Sequence, residues 1–207
     1  MAKSMFYLTQ LDERPNGYVV LSEANQWKPW LSRNIPAELY VDVRQRLISN
    51  LKHLLVGLEL KTALIIPHQH GGPQARPVLF ESYFQNLILE FGVAAFSVLE
   101  GLGSAHWLRQ NGQDGSAVPH ISRAQWSPAL CAVYDDTGEH GLADAIGRTL
   151  DVRDKLHQDK LGARADIDWH SLSYEAAFVP ASHAVRVLLR READAVPASS
   201  NLHIDLG

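Results

Sequence analysis

Arg153, Asp154 and His157 stand in the run Arg153-Asp154-Lys155-Leu156-His157, and these residue types suffice for RNA cleavage without a metal. An imidazole with an ordinary pKa of about 6.5 can take the proton of a ribose 2′-hydroxyl near neutral pH. A permanently charged guanidinium fork can hold the phosphate and the charge that develops on it. Residues four apart on a helix share a face, so a helix through this segment places Arg153 and His157 together, with Leu150, Leu156 and Leu161 as anchors on the opposite side. The same run also reads as a solvated helix face. In that case Asp151 with Lys155, and Asp154 near Arg153, form ion pairs worth a few tenths of a kcal/mol each.

Other chemistry is less complete. His68 and His70 flank Gln69 in a Gly/Pro-rich stretch and could offer two ligands to a transition metal. A catalytic metal usually takes three protein ligands, and the third would come from His53, His120 or the Glu139-His140 pair. A metal-binding bundle enzyme built on His68 and His70 is therefore a further alternative, although the chain has no His-Glu-x-x-His spacing. Asp135 to Glu139 is too short for a calcium loop and reads as a helix-joining turn, with Asp136 or Thr137 as a cap. Neither Gly71-Gly72 nor Gly101-x-Gly103 continues into a phosphate loop, and no Gly-x-Ser-x-Gly elbow is present. Cys131, in an apolar helical stretch, reads as a small core residue. Trp27 and Trp30 could stack bases but are expected to pack the join between neighbouring elements. No cofactor is expected.

The elements that must position these residues follow from length and pattern. The 207 residues are 46% apolar and 20% charged, with a formal net charge of -4, which fits one or at most two globular domains. A chain of this size buries roughly 70% of its unfolded surface and needs no staple. Cys131 is the single cysteine, which excludes an internal disulfide and points to a cytoplasmic setting. The acidic balance argues against strong nonspecific nucleic-acid binding but leaves room for a local basic patch. The N-terminus lacks the apolar region of a signal peptide. No membrane span is expected, because Glu59, Glu90, Glu100 and several glycines interrupt the longest apolar stretches.

Phe6 to Leu11 and Tyr18 to Leu21, joined by Asp12 to Gly17, predict a small N-terminal β-hairpin. A Trp-rich connector leads to Asn34 as the cap of a helix with Pro36 in its first turn. Leu39, Val43, Leu47, Leu51, Leu54 and Leu58 then recur on one helical stripe. Pro67 to Pro77 is the clearest loop, and Val78 to Leu108 reads as a central helix in which Gly92, Gly101 and Gly103 permit close packing or a bend. Helical patterns resume at Ser122–Tyr134, Gly141–Asp159 and Ser171–Ala193, with Pro180 disturbing the last, and Pro197 to Ser200 reads as a loose end. The expected architecture is a mainly α helical bundle with a small N-terminal β-hairpin. Its parts are a hairpin and helix over residues 1–76, a bundle over 77–195 and a tail over 196–207.

The Arg153 to His157 run, placed late in a bundle and after a long apolar helix carrying Phe80-Glu81-Ser82-Tyr83-Phe84, resembles the HEPN superfamily of helical domains. The resemblance covers about Val78 to Ala193. Many members are metal-independent ribonucleases of toxin-antitoxin, abortive-infection or RNA-processing systems, and others bind nucleotides or mediate assembly. By that likeness Arg153 would bind the scissile phosphate, His157 would be the general base and Asp154 would orient one of them. The family motif usually has roughly four to six residues between arginine and histidine, whereas Arg153 and His157 are separated by three. Arg164 and His170, separated by five, meet that spacing but lie in a stretch that reads as a loop. The resemblance further implies a homodimer with RNA and an antitoxin or other protein as partners, or a non-catalytic helical dimer acting as a protein- or nucleotide-binding module.

Overall fold

The computed structural model describes residues 21–70, 81–117, 120–134, 141–154 and 169–203. Across these the chain is a helical bundle, with no strand among the described residues. The expected hairpin falls outside them apart from Leu21.

The Trp-rich connector is itself helical. A 3₁₀ turn at Ala24–Trp27 leads into α1, Lys28–Asn34, where Pro29 occupies a first-turn position that needs no N–H donor. Trp27 and Trp30 are fully buried and meet edge to face at 6.1 Å, and the Trp30 indole donates to the carbonyl of Arg191 at 2.9 Å. These two rings pack the join of elements far apart in sequence. Asn34, expected to open a helix, instead ends α1, and its buried amide donates to the Trp30 carbonyl at 2.9 Å. The reason lies two residues on. Pro36 drives Ile35 to extended backbone (φ -91°, ψ 123°), so the helix stops there and the next begins after Tyr40.

That next helix, α2, runs from Val41 to His70. Leu51 and Leu58 of the expected stripe are buried, joined by Leu55 and Ile65, while Leu47 and Leu54 are half-buried at the margin. The helix passes through Ala63–Ile66 and Pro67 to His70, so the first four residues of the loop expected from Pro67 are helical, and residues 71–77 of it lie outside the described residues. Burial of Thr62 and Ile65 carries the core stripe into this last stretch, offsetting the one i→i−4 hydrogen bond that Pro67 cannot make.

The central helix α3, Glu81–Gln110, packs against α2, α4 (Arg123–Tyr134), α5 (Leu142–Asp154) and α6 (Val179–Arg190). Ser82–Gln110 is long and apolar enough to cross a membrane despite Glu90 and Glu100, and just over half of its most apolar window is buried within the bundle. Its glycines are where neighbours come closest. A β-carbon at Gly92 would meet Val152 Cγ1 of α5 at 2.6 Å, and one at Gly101 would meet Leu47 and Leu51 of α2 at 3.2 Å. These glycines are therefore points of close helix packing, as expected of them.

On α5, Leu142, Ala145, Ile146, Thr149 and Val152 form the buried stripe, at helical spacing. Before α6, Ser173 caps a single π-helical turn at Tyr174–Phe178, where the Val179 N–H reaches back five residues to the Tyr174 carbonyl. Pro180 has no N–H to give, so the disturbance expected from it is absorbed as this wider turn at the helix start. After α6, Glu192 adopts a left-handed conformation (φ 55°) and turns the chain back. The following segment is no loose end. Ser200 and Leu202 are buried, Asn201 donates to the Glu59 carbonyl at 3.0 Å, and the Ser199 and Ser22 hydroxyls share a hydrogen bond of 2.9 Å. The apolar core is thus continuous from Trp27 of the first 3₁₀ turn to Leu202 of the tail.

Candidate functional site

Arg153 stands in the last described turn of α5. Its side chain is half-exposed. The neighbouring Val152 is buried where α5 crosses α3 at Gly92, and that crossing sets the height of Arg153 above the central helix. The guanidinium carbon stands 5.4 Å from the centroid of the buried Phe96 ring of α3, and one terminal nitrogen is 2.9 Å from Asp154 Oδ1. One face thus rests on an aromatic ring and one edge on a carboxylate, which limits the rotamers open to a long side chain. Five donors in a planar fork let such a group hold a carboxylate and a phosphate oxygen together.

Of the residues singled out in the run, the structure brings Arg153 and Asp154 together. Leu150 packs partly buried against the core and Asp151 is exposed. Lys155, Leu156, His157, Leu161 and Arg164 lie outside the described residues.

Positions 68 and 70 fall within the described end of α2. His53 and His120 are exposed, and Glu139 and His140 are outside the described residues. Among the described residues no three His, Cys, Asp or Glu side chains gather closely enough to hold a metal ion. Cys131 is half-buried against the core.

Among the described histidines, one that the spacing did not single out has the most perturbed environment. His106 of α3 is 2% exposed, with Nε2 3.4 Å from the Tyr134 hydroxyl of α4, and that hydroxyl donates to Asn34 Oδ1 of α1 at 3.0 Å. Burial lowers the His106 pKa to about 4, and repulsion from Arg109 and Arg191 adds to the effect. Burial likewise raises the Tyr134 hydroxyl well above its ordinary value, against the opposing pull of the two arginines. Both groups are therefore neutral at physiological pH, and their chain joins three helices rather than facing solvent. Among the scattered polar residues of α3, a single histidine carries no spacing signal that sets it apart. Glu59, fully buried on α2, accepts the Ser22 N–H at 2.8 Å and similarly fastens the segment before α1.

The fold and these groups together define a mainly α bundle carrying a stacked, ion-paired arginine near its surface. No family model, curated protein or solved structure matches the chain.

Proposed function

We propose that the chain is a HEPN-like, metal-independent endoribonuclease of a toxin or defence type that works as a homodimer in the cytoplasm. In this reading His157 takes the proton from a ribose 2′-hydroxyl, the freed oxygen attacks the adjacent phosphorus, and the P–O5′ bond breaks as the 5′-oxygen takes a proton from water, giving a cyclic phosphate and a 5′-hydroxyl end, after which His157 returns its proton to solvent. Arg153 holds the non-bridging oxygens as charge builds on them, and Asp154 fixes the guanidinium. The observation that carries the reading is the half-exposed Arg153 held between the Phe96 ring and the Asp154 carboxylate. A binding fork restrained before the substrate arrives loses less entropy on engaging a phosphate.

The Asp154 carboxylate also supports a second reading. It offsets the charge of Arg153, and the chain as a whole carries -4, both of which suit a non-catalytic helical dimer that binds a protein partner or a nucleotide. One experiment separates the two. Purified protein is incubated with structured RNA in excess chelator, beside His157→Ala and Arg153→Ala variants of matched helicity. Cleavage by the parent alone, leaving cyclic phosphate ends, supports the nuclease. Equal cleavage by His157→Ala removes the histidine from the mechanism, and a parent that binds RNA or nucleotide without cutting it favours the second reading.

A further inference from the structure

Glu59 is fully buried on α2, where the segment entering α1 and the returning tail both meet that helix. One carboxylate oxygen, Oε2, accepts the Ser22 N–H at 2.8 Å, whereas Oε1 has no hydrogen-bond partner. Among the described residues no lysine, arginine or histidine forms an ion pair with this carboxylate.

Two more buried oxygens beside it also lack partners. Thr62, 3% exposed, stands one turn further along the same face of α2, and its Oγ1 makes no hydrogen bond. The Asn201 amide nitrogen lies 3.0 Å from the Glu59 carbonyl, which brings the same planar group to the Thr62 turn, and its Oδ1 makes no hydrogen bond either. The Ser22 and Ser199 hydroxyls, 2.9 Å apart, border the cluster.

Charge and atom type decide what such a cluster takes. A carboxylate withdrawn from water is stable only when an opposite charge or a metal ion offsets it. Water alone would fill the hydrogen bonds and leave the charge. A donor set made only of oxygens selects a hard cation over zinc or copper, and the threonine hydroxyl can turn to offer a lone pair. One carboxylate balances one charge, whereas calcium sites gather several. We propose that Glu59 Oε1, Thr62 Oγ1 and Asn201 Oδ1 bind an alkali cation, sodium or potassium, that ties the entry segment, α2 and the tail together. The site shares no residue with Arg153 and Asp154 and stands whether or not the chain cuts RNA.

The test follows thermal unfolding of the full chain in the chlorides of sodium, potassium and choline at one ionic strength. Choline screens surface charge equally but is too large to enter a buried cluster. Sodium or potassium is expected to raise the midpoint by about 2–4 °C over choline, with an effect that saturates. Glu59→Gln keeps an oxygen for the Ser22 N–H but removes the charge, and should abolish the difference. Thr62→Val should weaken it, and Asp42→Asn, which removes an exposed carboxylate of the same helix, should leave it as in the parent. Broadening of the sodium NMR line by the folded parent, missing in Glu59→Gln, reads the ion without reference to stability. Equal midpoints in the three salts would assign the cluster to water or to a protonated Glu59 and overturn the proposal. So would a difference that survives in Glu59→Gln, an equal loss in Asp42→Asn, or sodium broadening equal in Glu59→Gln and the parent.

Discussion

Gly103 of α3 and Trp126 of α4 touch so closely that a β-carbon at position 103 would lie 2.7 Å from Trp126 Cε3 and 2.9 Å from the Trp126 carbonyl oxygen. The indole can turn only within a filled core, since Trp126 is fully buried against Phe96, and the carbonyl cannot move without its helix. The absent side chain therefore sets the spacing of the two helices. Alanine is favoured over glycine in a helix by about 1 kcal/mol, but overpacking against a buried ring and a helix carbonyl costs about 2–3 kcal/mol, the upper part of the usual range. Gly103→Ala is expected to lower stability by about 1–2 kcal/mol in urea unfolding, whereas Gly101→Ala, which meets only Leu47 and Leu51 methyl groups at 3.2 Å, stays within about 0.5 kcal/mol of the parent. A Gly103→Ala protein as stable as the parent would mean that α3 and α4 sit further apart.

Protonation of His106 links stability to acid. The folded protein keeps this imidazole neutral down to about 4, whereas the unfolded chain takes up the proton near its ordinary value of 6.5. Between those values the unfolded state binds more protons, so stability is fully present above the window and falls as the pH drops through it. The shift corresponds to a loss of roughly 3 kcal/mol once the pH is below the folded value. His106→Gln should flatten that part of the profile. Parallel acid dependence in the parent and the variant would assign the loss to other groups.

The buried Glu59 carboxylate fastens one segment from its side chain and another from its backbone. Its side chain accepts the Ser22 N–H and its carbonyl accepts from Asn201. Glu59→Ala strands a buried N–H and opens a void, and is expected to cost about 2–4 kcal/mol. Hydrogen exchange should quicken first at Ser22, because the Asn201 contact is made to the backbone carbonyl and survives the substitution. A uniform change across α3 instead would show that Glu59 supports the whole core and not this segment.

Arg153 offers a sharper test of the proposed chemistry than removal of its charge. Lysine keeps the charge but has neither the planar fork nor the flat face that lies against Phe96. Arg153→Lys is expected to lose RNA cleavage by about 100-fold, close to the loss in Arg153→Ala, with helicity unchanged. If lysine retains most of the activity, charge alone is what the position contributes.

Much of this architecture was legible along the chain. Apolar residues at three- and four-residue steps marked α2 through α6, since a helix buries whatever recurs at its own period. Pro180 marked a disturbed helix start for the same kind of local reason. Asn34 shows where local signals mislead. Its type and the following proline suit a helix start, but the pre-proline restriction on Ile35 ended the preceding helix first. The charged run at Arg153 was visible as residue types, whereas the ring beneath its guanidinium belongs to α3, fifty-seven positions earlier.

The sequence by itself determined that this is a mainly α chain with a buried apolar core, because hydrophobic period and turn chemistry act over a few residues. Only the tertiary structure decided that His106, Tyr134 and Asn34 form one buried chain and that the tail returns to Glu59 of α2. Those relations depend on how whole helices cross and where glycines let them approach, and no short stretch of sequence encodes such distances.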